Sequence, residues 1–134
     1  MDVVITEWSL NSYLDLKHRQ VFSKQEYHMI LRPDAELLKE GWPPCNSKFL
    51  NPKFWGPATG LMGKTIQHGY KMKWHNIGNG RVQLRLAVVV LNGKIFLCQG
   101  YVKSDDKIDK RQMALLKNRI NDIANGTYNY RGLL

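Results

Sequence analysis

Lys71 and Lys73 stand two residues apart, Arg85 follows in the next apolar stretch, and His75, Tyr101 and Lys103 lie nearby in sequence. Side chains of these types suit cleavage of RNA without a metal. The substrate's own 2′-hydroxyl attacks the neighbouring phosphorus, so the protein need not supply a nucleophile. It must help remove the 2′ proton, stabilise the added negative charge of the phosphorane, and protonate the departing 5′ oxygen. A positioned Lys or Arg meets the middle need, worth ~3–4 kcal/mol per donor at comparable sites. A His, a Tyr or a lysine of lowered pKa moves protons, and crowded cations lower that pKa. The catalytic candidates are therefore Arg85, Lys73, His75, Tyr101 and Lys103. Lys71, Arg81, Lys64 and Arg131 are candidate nucleic-acid contacts.

Each candidate also has a plainer reading. Lys71 and Lys73 fit the wet face of an ordinary amphipathic strand, and His75 fits a surface histidine at a turn. Tyr101 falls on the core side in the simplest register, unless Gly100 marks a bulge. Arg85 is harder to explain away, because it interrupts an apolar strand where an unpaired charge is costly.

The element that must position these groups is a three-stranded antiparallel meander over residues 69–103. Tyr70, Met72 and Trp74 alternate with lysines, and Val82, Leu84, Leu86, Val88 and Val90 alternate with Arg81, Gln83 and Arg85. Such period-two patterning puts one face in a core and the other in water. Asn92-Gly93 suits a type I′ turn, and Asn76, Gly78, Asn79 and Gly80 supply a looser one. Placing Trp74 opposite Val82 sets Met72 against Leu84 and Tyr70 against Leu86. It also sets Lys73 against Gln83 and Lys71 against Arg85, so the exposed face is cationic.

Around the meander the chain reads as α+β. A short strand over residues 2–5 leads to a first helix capped by Thr6. Ser23 and Glu26 form a capping box for a second helix, with Phe22 and Tyr27 as its hydrophobic staple. Pro33 predicts a break at Arg32 and a new helical segment over 33–40, ended by Gly41. Residues 41–68 read as a long ordered loop insertion, with Trp42, Phe49, Phe54 and Trp55 either pinning it to the body or stacking on bases. Gly60 to Thr65 misses the phosphate-loop pattern, because Ala58 stands where a glycine is needed and no apolar strand precedes it. A final helix is predicted over 110–124, capped by Asp109 with Gln112 in the box, and stopped by Asn125-Gly126.

Length and composition bound the rest. The 134 residues suffice for a single domain with its own core. No long apolar run or basic-then-apolar leader is present, so a cytoplasmic protein without membrane contact is expected. Cys45 and Cys98 are too few for a disulfide framework, and no Cys/His pair has metal-ligand spacing, so neither metal nor cofactor is expected. Residues 1–60 hold seven Lys/Arg against seven Asp/Glu, whereas residues 61–134 hold thirteen against four and so carry the whole +9. Concentrated charge of one sign points to a polyanionic partner.

The order of elements, with Gly69-Tyr70-Lys71-Met72-Lys73-Trp74, Arg85-Leu86-Ala87-Val88 and Gln99-Gly100-Tyr101-Val102-Lys103, resembles the RelE/ParE toxin superfamily, most closely its HigB-like branch. Members carry a glycine-led "LYELR" strand, a "YRILF" strand and an "HGFVKK" strand end before a basic helix. The resemblance covers residues 69–125 and, more loosely, 3–40. It implies a RelE-like fold and ribosome-dependent mRNA cleavage, as the toxin of a type II toxin–antitoxin pair. An acidic cognate antitoxin would mask the basic face. Arg85 matches the arginine of "YR", Lys103 the first lysine after "FV", and Tyr101 the aromatic before it. Trp74, Gln99 and Ser104 depart from the family's arginine, histidine and second lysine. The alternative is a non-catalytic member that binds nucleic acid or protein through the same face, including a ParE-like inhibitor of DNA gyrase.

Overall fold

The computed structural model describes residues 1–134 and is built on one six-stranded mixed sheet. Its strands are β1 (Val3–Thr6), β2 (Trp55–Thr59), β3 (Thr65–Ile77), β4 (Val82–Leu91), β5 (Lys94–Val102) and β6 (Tyr130–Leu133), lying in the order β2-β3-β4-β5-β1-β6. The helices are α1 (Glu7–His18), α2 (Lys24–Glu26), α3 (Arg32–Glu36) and α4 (Asp106–Ala124). The α+β class holds, but the expected meander is only the middle of the sheet. β1 joins parallel to β5 with Val3 beside Ile95, and β6 closes antiparallel on β1. No helix is long and apolar enough to cross a membrane.

The segment 41–68 is not simply a loop. It contains the edge strand β2, which pairs with β3 from Trp55 opposite Met72. Pro57 lies in β2, a position an edge strand tolerates because no inner neighbour needs its missing N–H. Phe49, Phe54 and Trp55 are buried, and Trp42 packs on Trp55 and Tyr70 at 6.1 and 4.7 Å between ring centroids. Phe49, Phe54 and Trp55 pin the segment to the body, and Trp42 packs over them partly exposed.

Helix starts obey local capping chemistry. The Thr6 hydroxyl accepts from Ser9 N–H, and Ser23 and Glu26 make the reciprocal capping box. Phe22 stacks on Tyr27 at 5.9 Å as the staple requires. The expected break at Arg32 does not occur, since Arg32 is helical at φ −64, ψ −47. A π turn over Tyr27–Leu31 sends the Arg32 N–H to Tyr27 O, so the ladder changes step just before Pro33, whose absent N–H would have interrupted it. α4 also begins earlier than expected. Its cap is Asp105, which accepts from Ile108 N–H at 2.9 Å, and this frees the Asp109 carboxylate for other partners. Gly126, at φ +71, ends α4 as anticipated.

The sheet is buried on both faces. One face carries Met72, Trp74, Leu84, Val88, Ile95 and Leu97 against Leu16, Leu31 and Leu38 of the N-terminal helical segment. The other carries Ala87, Val89, Phe96 and Cys98 against Met113, Leu116 and Ile123 of α4. Gly69 lets α4 approach, because a Cβ there would lie 3.2 Å from Leu116 Cδ2 and 3.1 Å from the Ala58 Cβ. The expected division into one greasy and one cationic face is thus corrected. β4 stops alternating after Arg85 and runs apolar from Leu86 to Leu91, the pattern of a strand covered on both sides.

Candidate nucleic-acid interface

Lys73, Arg85 and Tyr101 form one row across three strands, Lys73 opposite Arg85 and Arg85 opposite Tyr101. The observed pairs Trp74–Leu84 and Met72–Leu86 lie two residues from the expected register, so Arg85 faces Lys73 in place of Lys71. A bulge in β5 brings in Tyr101. Ala87 opposes Gln99 while Val88 opposes Leu97, leaving Cys98 extra and turning Gln99 and Tyr101 onto the Arg85 face. The bulge sits at Cys98, not at Gly100. Past Leu97 the β1 pairing has ended, and the Gly100 N–H instead donates to Ser12 Oγ at 2.9 Å.

This row is not the wet strand face that its alternation suggests. Lys71 is 8% exposed, and its Nζ lies 3.1 Å from Asp109 Oδ2. The other Asp109 oxygen accepts from the Tyr101 hydroxyl at 2.5 Å. Burial alone would raise the Asp109 carboxyl, but the hydrogen bonds from Tyr101 and Lys71 outweigh it and hold the group below its ordinary value. Burial, then the bond to Asp109, pushes the Tyr101 phenol far above its ordinary range. Tyr101 is thus buried, with its hydroxyl committed as a donor to Asp109.

Arg85 is 5% exposed and makes no ion pair. Its guanidinium donates to Leu84 O at 3.3 Å and to Gln83 Oε1 at 3.1 Å, leaving most of its five N–H donors uncommitted. Burial lowers its pKa, with Tyr101 and Asp109 acting against that shift. Lys73 is partly exposed; its Nζ donates to Pro52 O at 2.9 Å. Burial lowers the Lys73 pKa first, and the charges of Lys71, Arg85 and Lys103 lower it further. Lys103 Nζ lies 3.6 Å from Asp106, and His75 Nε2 sits 2.8 Å from Lys53 O at the exposed end of β3.

The remaining contact candidates do not join this group. Lys64 is exposed at the other end of β3, and Arg81 is exposed in the β3–β4 turn. Arg131 lies on β6 at the opposite sheet edge, ion-paired to Glu7 at 2.7 Å. Sequence reasoning missed Asp109, because Asp105, Asp106 and Asp109 all compete as the helix cap. It also missed a cleft of about 460 Å³ where Lys48 and Lys53 face Lys73 and His75. Cys98 is inert, its thiol pushed up to about 12 by burial. The arrangement gathers Lys71, Arg85 and Lys103 close enough to Lys73 to lower its pKa, with Asp109 as the nearby counter-charge. Comparison with protein-family models, with curated proteins and with solved structures found no match.

Proposed function

We propose that the chain is a toxin of the RelE/ParE type, closest to the HigB-like branch, and cleaves mRNA on the ribosome without a metal. The observation that carries this reading is Arg85, a buried guanidinium with no carboxylate paired to it. A buried charge left unpaired is unfavourable unless a ligand completes it, and a phosphate offers the matching charge and acceptors. In this reading Arg85, Lys71 and Lys103 stabilise the phosphorane. Lys73 exchanges the protons, its lowered pKa bringing it closer to neutrality. As the P–O2′ bond forms the P–O5′ bond breaks; the 2′ proton passes to the base and the 5′ oxygen receives one. His75, at the open strand end, is the second candidate for proton transfer, and Tyr101 packs beside Arg85 in the row.

A second reading, a non-catalytic binder of the same fold, has its own support. Lys71 is engaged by Asp109, Lys73 by Pro52 O and His75 by Lys53 O, so these groups already have partners within the chain. Induced expression separates the readings. Growth arrest with transcripts cut inside reading frames, abolished by Lys73→Ala with Arg85→Ala, supports the nuclease. DNA damage with intact transcripts supports gyrase inhibition instead, and unimpaired growth with intact transcripts removes the toxin reading.

A further inference from the structure

The basic half of the chain holds only four carboxylates, and three of them, Asp105, Asp106 and Asp109, lie at the start of α4. Asp109 is bonded by Lys71 and Tyr101, and Asp106 stands 3.6 Å from Lys103. We infer that the first turn of α4 is an acidic plug, in which the Asp109 carboxylate occupies the place of an RNA phosphate and must leave before substrate enters. The inference rests on the RNA-binding reading above and assigns that site its regulation.

Three observations carry it. A carboxylate presents to Lys71 and Tyr101 the same charge sign and oxygen acceptors as a phosphate, and the uncommitted donors of Arg85 lie on the same row. The plug is weakly built compared with the rest of its helix. Asp106 has an 88% exposed side chain, and the only partly buried apolar residue of that turn is Ile108. Met113, Leu116 and Ile123 anchor α4 farther along, so opening its first turn costs the core only the packing of Ile108. Finally, the Asp109 contacts use a helical position, not the cap. Loss of the Asp105 cap therefore loosens the plug without touching any cation.

The test is fluorescence anisotropy with a short fluorescein-labelled single-stranded oligoribonucleotide, joined to amide exchange over residues 106–110. Asp109→Asn is expected to bind roughly tenfold tighter than the parent chain, because a like charge no longer opposes the phosphate. Asp105→Ala, which loses the cap, is expected to bind roughly threefold tighter through loosening of the turn. Asp105→Asn keeps a capping side chain and is expected to stay close to the parent. On adding RNA to the parent protein, exchange over 106–110 should accelerate. The Asp105 pair and the exchange measurement remain decisive should Asp109→Asn fold poorly. Parent protein that binds RNA, with no tightening by Asp109→Asn or Asp105→Ala and unchanged or slower exchange, overturns the plug and leaves the RNA-binding reading standing. Absence of RNA binding by every variant overturns both.

Discussion

Two carboxylates, one on each side of the sheet, are built alike and do different work. Asp34 accepts from Trp74 Nε1 at 2.9 Å and from Lys48 Nζ at 2.6 Å. Asp109 accepts from the Tyr101 hydroxyl at 2.5 Å and from Lys71 Nζ at 3.1 Å. Each thus holds one aromatic donor and one lysine. The surroundings differ. Lys48 keeps a 52% exposed side chain, and the pair stitches the turn over residues 46–54 to α3. Lys71 has a 10% exposed side chain, and beyond it lie Lys73, Lys103 and the unpaired Arg85. Asp34 is paired by an exposed lysine beside an open cleft, whereas Asp109 is paired within a buried row that holds Arg85.

Substitutions on the two sides should separate these roles. The largest effect is expected from Arg85→Ala, with transcript cleavage down roughly 10²–10³-fold and thermal unfolding little changed. Asp34→Ala should behave in the opposite way. It orphans the Trp74 N–H and is expected to lose about 2–3 kcal/mol by urea unfolding, with RNA affinity per folded molecule unaltered. Were Asp34→Ala to change affinity and Arg85→Ala only stability, the contrast would be reversed. Gly69→Val crowds Leu116 and Ala58 and is expected to lose about 1–3 kcal/mol, measured in the same way. Ser23→Ala removes one half of the capping box and should cost about 1 kcal/mol without touching RNA affinity.

Acid sharpens the comparison further. The folded Asp109 carboxyl lies below its unfolded value of about 3.8, so it contributes stability that is fully present above that value. That contribution fades as pH falls through the lower, folded value. Stability measured between pH 6 and pH 2, by roughly one-unit steps, should therefore fall less steeply at the acid end in Asp109→Asn than in the parent chain. Equal slopes would mean that Asp109 is not held by Lys71 and Tyr101 in solution.

How much of this was legible in the sequence follows from range. Signals confined to a few residues were plain: the Ser23–Glu26 box, the Thr6 cap, the Asn92-Gly93 turn with both residues at positive φ, and Gly126 after α4. The strand register came out two residues from the observed one. A two-residue shift keeps each side chain on its own face, so hydrophobic alternation cannot detect it; it arises at the turn, where Ile77 and not Trp74 faces Val82. The bulge at Cys98 had no local mark and carried Tyr101 to the other face. Pairing of β1 with β5 and of β6 with β1 depends on contacts between distant segments. Lys73 and Arg85 were named as candidates from chemistry and spacing, and the strand pairing sets them opposite one another. Asp109 was not named, because the choice among three neighbouring aspartates for the cap is made by the docking of α4.

The most direct test of the cationic row is the salt dependence of oligoribonucleotide binding by the parent chain and by Lys73→Ala/Arg85→Ala. A row that grips phosphate should give a falling log–log plot. In the double variant the slope should be shallower by about 0.7 for each phosphate no longer neutralised, with weaker binding at every salt concentration. Identical affinity and slope in the two proteins, or no binding by the parent chain at low salt, would contradict the assignment of Lys73 and Arg85 to RNA.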